Sequence, residues 1–389
     1  MVKKKLAFFT GTRAEYGLLK PLMDLALKDS DLQFELYVTG MHLSLEFGHT
    51  VDQIKQDRIP ITEEIEILLS GDTPAAITKS MGLALIGFGD ILKKRKPDML
   101  VILGDRFEAF CAAAAATVAH VPIAHLHGGE ITLGAIDDTF RHSITKMSYL
   151  HFVSAEQYKQ RVIQLGESPD RVFNVGAIGI DNILKLNLLD KNEIQNVISD
   201  KIKYPYVVIT FHPETIDSQS AEDQIKGILK ALDKFNDMFL IFTKANSDAG
   251  GRIINSLIEE FVSRNPDRSI LFSSLGQLKY LSLIKHSLMV IGNSSSGIIE
   301  APSLNVPTVN IGKRQDGRIK AKSVYDCGLF ANDIYKTINN VKEDIKNNRI
   351  NYENPYYKKD TTITIYDTIK KYLNYDKFIK IFFDLTLKY

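Results

Sequence analysis

VILGDRFEAFCAAAAATVAHVPIAHLHGGEITLGAIDDTFRHSITKMSYLH, residues 101–151, carries the pattern that decides the fold. A short apolar run, Met99–Leu103, stops at Gly104-Asp105-Arg106. An alanine-rich helical segment follows (Ala112–Ala119), then a second apolar run, Val121–Ala124, that stops at His125-Leu126-His127-Gly128-Gly129-Glu130. Asp137-Asp138 then opens a helical pattern that carries Arg141 and His142. Apolar runs of this length, bounded by turn signals and alternating with helical patterns, read as buried parallel strands in βαβ units. Ligands of such sheets bind beyond the carboxyl ends of the strands. Asp105, His127, Glu130 and Asp137 belong at that edge, and four ionisable groups converging there point to a catalytic site.

Toward the N-terminus the same alternation continues. Leu6–Thr10 is strand-like and runs into Gly11-Thr12-Arg13-Ala14-Glu15-Tyr16-Gly17, ahead of a helix over Leu18–Leu27. A glycine turn before a helix offers backbone N–H groups to a phosphate, and Arg13 adds a charged fork. The plain alternative is an ordinary strand–helix turn with a surface arginine. Phe34–Thr39 is a second strand and ends at Gly40-Met41-His42; Lys79–Arg95 reads as a helix. Strand alternation places His125 and His127 on one face, and with Glu130 they form a candidate metal set, but no third ligand has zinc-like spacing. Asp137 and Asp138 stand where helix-capping acids belong, and Asp138, Arg141 and His142 share one helix face.

Past His151–Val153 and Val172–Val175 the polar stretch Asn187–Lys203 reads as a linker, and the pattern restarts. Tyr206–Thr210 ends at Phe211-His212-Pro213-Glu214, and Met238–Phe242, Ser269–Phe272, Leu288–Ile291 and Thr308–Ile311 are further strands. Leu288–Ile291 leads into Gly292-Asn293-Ser294-Ser295-Ser296-Gly297, a loop that can cradle a diphosphate, with Glu300 one helical turn on to accept ribose hydroxyls. Gly312–Arg318 is a basic loop, and Thr361–Leu373 and Phe378–Leu385 show helical apolar spacing. The expectation is an α/β chain of two Rossmann-like doubly wound domains facing across a cleft, 1–188 and 200–365, with a helical tail, 366–389, packing back.

The bulk properties narrow the classes. With 389 residues, 24% charged and a net charge of +1, nothing suggests a nucleic-acid or membrane surface. Two distant cysteines, Cys111 and Cys327, form no disulfide framework, no run of about 18 apolar residues suggests a membrane helix, and no signal peptide is evident; the chain reads as cytoplasmic.

Together the motifs GTRAEYG (11–17), TGMH (39–42), LGDR (103–106), HGGE (127–130), IDDTFRHSITK (136–146), FHPET (211–215), GNSSSGIIEAPSL (292–304) and GKRQDGR (312–318) make the chain similar to the hydrolysing UDP-N-acetylglucosamine 2-epimerases of sialic acid synthesis. The resemblance implies a glycosyltransferase-B-like fold and elimination of UDP to 2-acetamidoglucal, followed by hydration to N-acetylmannosamine, with no cofactor and no metal. It implies a UDP-sugar as the binding partner and a homo-oligomer, dimer or tetramer. It puts Arg13, His212, Ser294 and Ser295 on the diphosphate and Glu300 on the ribose, with Asp105, Asp137 and Asp138 as acid/base or sugar-binding groups. His42, Arg106, Arg141, Ser296, Gly297 and Arg318 complete the expected substrate set. Many relatives carry Glu-Ala-Gly where this chain has His127-Gly128-Gly129, so His127 or Glu130 takes that proton-transfer role; the reading favours Glu130, with His127 orienting it. A rival sugar is a UDP- or GDP-linked 2,4-diacetamido-2,4,6-trideoxyhexose, and Ile67–Pro74 is a stretch that could separate the two. A glycosyltransferase of the same shape and a metal-dependent hydrolase are the alternatives from other classes.

Overall fold

The computed structural model describes residues 3–46, 48–69, 73–132, 136–214, 219–245, 251–273, 275–375 and 378–385. Residues 70–72 of the proposed sugar-discriminating stretch, and Thr215 of the FHPET motif, lie outside the described residues. The chain packs as two units: one built mainly from the chain up to Asn182 plus the segment from Lys358 onward, the other mainly from Ile183–Tyr357.

Among the described residues, the first unit holds seven parallel strands: β1 (Lys4–Thr10), β2 (Leu32–Thr39), β3 (Glu63–Ile65), β4 (Met99–Leu103), β5 (Ile123–Leu126), β6 (Leu150–Val153) and β7 (Val172–Asn174). Their order is β3-β2-β1-β4-β5-β6-β7. The winding reverses between β1 and β4, so the ends of those two strands flank the switch point where such sheets bind ligands. Every residue of β4 is buried, because helices cover both faces of the sheet. The helix Pro74–Arg95 is long and apolar enough to cross a membrane by length and composition alone. Here it is the crossover from β3 to β4, with Ala84, Phe88 and Leu92 in the core beneath the sheet.

In the second unit β8 (Tyr206–Thr210), β9 (Phe239–Thr243), β10 (Ser269–Phe272), β11 (Val290–Gly292), β12 (Thr308–Ile311) and β13 (Val324–Cys327) pair in the order β10-β9-β8-β11-β12-β13, all parallel. The switch point lies between β8 and β11, which places His212 and Asn293 side by side at the carboxyl edge.

Three expectations need correction. The proposed linker Asn187–Lys203 contains a helix, Lys191–Val197, started by a reciprocal Asp190–Glu193 capping box. Its Ile194 is buried in the second unit's core. The second domain ends before residue 365, because helix Thr361–Tyr372 buries Ile365 and Ile369 in the first unit's core. Thr362 donates to Asp181 Oδ2 from both its backbone nitrogen, at 3.1 Å, and its hydroxyl, at 2.6 Å. Phe378–Leu385 is not helical. Its Lys380 ammonium reaches the buried Glu167 carboxylate at 2.8 Å, and Phe383 N–H donates to the Gly166 carbonyl at 2.9 Å, contacts that an extended backbone satisfies.

Candidate active site

At the first unit's switch point an arginine gathers the acids. Arg141, on the helix Ile136–Met147, is buried; its Nη1 donates to Asp138 Oδ1 at 2.8 Å and to the Glu130 carbonyl at 2.9 Å. Its Nη2 donates to Asp105, just beyond β4. The Asp138–Arg141–His142 spacing read from the sequence therefore does place three groups together, with His142 Nε2 3.6 Å from Asp138 Oδ2. Asp137 is held above the usual carboxylate range, first by burial and then by the neighbouring charge of Asp105. A carboxyl whose proton affinity is raised beside one that is paired to arginine suits an acid and a base to different tasks.

The HGGE turn follows β5. His127 lies past the strand's end with φ of 65°, so strand alternation does not extend to it. Gly129 has φ of 79°, and a Cβ there would come within 2.6 Å of the Tyr158 carbonyl, so only glycine fits. Glu130 is 6% exposed, and its Oε1 accepts from Ser154 Oγ at 2.8 Å and lies 2.9 Å from His127 Nδ1. His125 is directed into the unit. Its Nε2 meets the Gly104 carbonyl at 2.8 Å and its Nδ1 meets Thr145 Oγ1 at 3.2 Å, and burial pushes its pKa down to about 3. Both ring nitrogens being engaged, the His125/His127 metal reading loses its first ligand.

The glycine turn after β1 is filled from within. Glu15 Oε2 accepts the N–H groups of Gly11 at 2.7 Å and Thr12 at 3.1 Å, and burial raises its pKa to about 7. The backbone donors expected for a phosphate are thus already taken, while Arg13 stays exposed at the helix start. His42 is fully buried between Thr10 Oγ1, 3.0 Å away, and Thr50 Oγ1, 2.8 Å away, and burial lowers its pKa to about 4. Arg106 pairs with the buried Glu108 at 3.2 and 3.3 Å. Sequence reasoning missed Glu15, Glu108 and Ser154. The first could have been found from its Thr12–Glu15 capping-box spacing.

In the second unit Asn293 bridges the switch point. It is fully buried, its Oδ1 accepts the His212 N–H at 2.8 Å, and its Nδ2 donates to the His212 carbonyl at 2.8 Å. His212 is therefore held by its backbone. The Asn293 carbonyl in turn accepts from Gln315 Nε2 at 2.8 Å and Arg314 Nη1 at 3.2 Å. Glu214 Oε1 fixes the basic loop by accepting the N–H groups of Lys313 at 2.8 Å and Arg314 at 3.0 Å. Ser294 caps the short helix Ser295–Ile299, and Ser296 Oγ lies 2.7 Å from Tyr280 Oη, so Ser294, Ser295, Ser296 and Gly297 sit together on one turn. Glu300 ends that turn with Oε2 buried and unpartnered, and burial raises its pKa to about 7, with Arg318 the nearby opposing charge. Asn293, Glu214 and Gln315 were not singled out from sequence. Their work is on backbone groups, which spacing rules do not register.

Two parallel α/β domains, one carrying a carboxylate–histidine–arginine cluster and the other a clamped histidine beside a serine turn, define a nucleotide-sugar enzyme of glycosyltransferase-B-like fold. The chain belongs to the UDP-N-acetylglucosamine 2-epimerase family, whose model matches residues 25–370, and within it to the hydrolysing nucleotide-sugar 2-epimerases. It is 44% identical, over 85% of each chain, to the hydrolysing GDP/UDP-N,N'-diacetylbacillosamine 2-epimerase of Campylobacter jejuni. It is 40% identical, over 98% of each chain, to a polysialic acid biosynthesis protein of Escherichia coli. The UDP-GlcNAc 2-epimerase of Neisseria meningitidis, solved with UDP-GlcNAc bound, shares the fold with a TM-score of 0.79 at 20% identity, over 95% of this chain and 100% of that one. The family sets aside the glycosyltransferase reading.

Proposed function

We propose that the substrate is a nucleoside-diphosphate-linked 2,4-diacetamido-2,4,6-trideoxyhexose of the N,N'-diacetylbacillosamine type. The observation that supports this is the naming of relatives: the Campylobacter jejuni protein at 44% identity and a Legionella pneumophila protein at 33% both act on that sugar by name. UDP-N-acetylglucosamine is the second reading, favoured by the Neisseria meningitidis relative at 31% identity. In either case the chemistry is the same. A base removes the C2 proton, the electron pair forms the C1=C2 bond, and the C1–O bond breaks to release the nucleoside diphosphate. Water then adds across the glycal, its oxygen to C1 and a proton to C2 from the opposite face. Asp105, Asp137, Asp138, His127 and Glu130 supply the acid–base set, with Arg106 and Arg141 holding charge at the sugar. Arg13, His212, Ser294, Ser295, Ser296, Gly297 and Arg318 serve the diphosphate, and Glu300 the ribose.

The deciding experiment incubates the chain with each UDP-sugar in turn and follows products by NMR. A kcat/KM at least about tenfold higher for the diacetamido sugar is expected, the scale set by recognition of an extra amide. A preference for UDP-N-acetylglucosamine overturns the first reading. Activity is expected to survive EDTA, since His125 has no ring nitrogen to offer a metal; loss restored by zinc would reverse that expectation.

Glu300 gives a pH-dependent check. With its carboxyl raised to about 7, it is protonated below that pH and ionised above it. Ribose hydroxyls donate to the ionised form, so UDP binding should tighten as pH rises through 7. The free protein should show the opposite trend: the folded chain keeps a proton that the unfolded chain has released, so stability falls between the ordinary 4.5 and about 7. Glu300→Gln should weaken UDP binding by about 1–3 kcal/mol and flatten both pH profiles, measured by calorimetry and thermal unfolding. Unchanged affinity removes Glu300 from the ribose.

A further inference from the structure

We propose that Ser154 is a positioning residue: acting through Glu130, it holds the His127 ring with the proton on Nδ1, leaving Nε2 as the base that takes the C2 proton. The inference rests on the epimerase reading above and reverses the order of Glu130 and His127 expected from sequence. Ser154 follows β6 and is fully buried, and its hydroxyl donates to Glu130 Oε1 at 2.8 Å. An ionised carboxylate only accepts hydrogen bonds, so the 2.9 Å contact between the same oxygen and His127 Nδ1 requires the hydrogen on Nδ1. A neutral ring then has its lone pair on Nε2. That atom is buried and has no hydrogen-bond partner. Buried acceptors are nearly always paired, and a bare one within an acid–base cluster is open to a ligand.

The surrounding backbone fixes both members of the pair. Arg141 Nη1 holds the Glu130 carbonyl at 2.9 Å, and Arg161 holds the Gly129 carbonyl. The Gly129 Cα lies against the Tyr158 carbonyl with no room for a side chain. His127 N–H is fixed to the Phe152 carbonyl at 2.9 Å. Carboxylate and ring thus have fixed origins, and the Ser154 hydroxyl adds a buried donor to the oxygen that faces the ring. In the elimination the C2–H bond breaks, its electrons form the C1=C2 bond, the C1–O pair leaves with the diphosphate, and the proton goes to Nε2. The resulting imidazolium faces the Glu130 carboxylate, which stabilises it. In the hydration Asp137 delivers the proton to C2 and a neighbouring carboxylate takes the proton that water loses; His127 then gives up its proton to solvent, and the two carboxyl groups return to their starting states the same way.

The test combines a readout that needs no substrate with one that does. Chains carrying ¹⁵N-labelled histidine, with His127→Asn used for assignment, report the His127 tautomer by long-range NMR. The wild type should show Nδ1 protonated and Nε2 bare. Ser154→Ala should mix the tautomers and lower kcat about tenfold or more at nearly constant KM, the lower end of general-base effects. Ser154→Thr, or Ser154→Cys should threonine not fit, should recover part of both. Glu130→Gln presents an amide donor to Nδ1 and should move the proton to Nε2, with solvent-deuterium uptake at C2 lost. A wild-type tautomer protonated on Nε2, or a Ser154→Ala chain unchanged in tautomer and kcat, overturns the proposal. Turnover kept in His127→Asn but lost in Glu130→Gln makes Glu130 the base. Failure of the wild type to turn over any nucleotide sugar, with the tautomer as described, sinks the epimerase reading and not the geometry.

Discussion

Asp105→Asn is expected to lose turnover by about 10²–10⁴-fold while UDP still binds with near-native affinity, the range for removing a positioned acid or base. Asp105 receives Nη2 of Arg141, whose other nitrogen holds Asp138 and the Glu130 carbonyl. Asparagine keeps the size and one acceptor but removes the charge that pairs the guanidinium. Arg141 then keeps Asp138 but loses Asp105 as a carboxylate partner, and Asp137, raised first by burial and then by the charge of Asp105, ionises more readily. Both members of the acid–base division are disturbed by one atom's change. The turn proposed to hold the nucleotide belongs to the other unit, so affinity for UDP is the internal control. Single-turnover kinetics and UDP titration check the split, and an equal loss of both would move Asp105 from the sugar to the nucleotide.

Gly292→Ala is expected to cost more than about 4 kcal/mol, in the exceptional range for single substitutions. Gly292 closes β11 in register with Thr210 of β8, at φ of 131°. A Cβ built there lies 2.0 Å from the Thr210 carbonyl oxygen, a backbone atom of the neighbouring strand that cannot swing aside. The strands would have to part, breaking the Asn293 N–H bond to Thr210 and with it the Asn293 clamp on His212. Denaturant unfolding of the second unit and UDP binding should fail together. Gly82→Ala is the control: a Cβ meets nothing within 4 Å at this helical position, and a gain of about 0.5–1 kcal/mol is expected. Equal behaviour of the two variants would show that the close strand approach is not what selects glycine.

Most strands that were legible in the sequence are buried along their length. Tyr206–Thr210, Thr308–Ile311 and Met99–Leu103 occupy the predicted residues because a parallel sheet covered by helices demands continuous apolar runs, while Ser269–Phe272, an edge strand only partly buried, still carries an apolar run. β3, Glu-Glu-Ile, and β13, Val-Tyr-Asp-Cys, lie at sheet edges where one side meets solvent, and their sequences carry no such run. The tail Phe378–Leu385 carried a helical spacing that local pattern alone could not override; the pull of buried Glu167 on Lys380 did.

Sequence by itself determined the two-domain parallel architecture, the family, and the placing of Asp105, His127, Glu130 and His212 just beyond strand ends, because apolar period and turn chemistry are local properties. Only tertiary structure decided which of these groups are available. It turned His42 and His125 inward, closed the Gly11 turn with Glu15, joined Asp105 to Asp138 through Arg141, and set Ser154 against Glu130. Apart from the local Gly11–Glu15 and Asp138–Arg141 pairs, those partners lie on different elements, up to 36 residues apart for Asp105 and Arg141, and no spacing rule within one segment reports which side chains the sheet order will bring together.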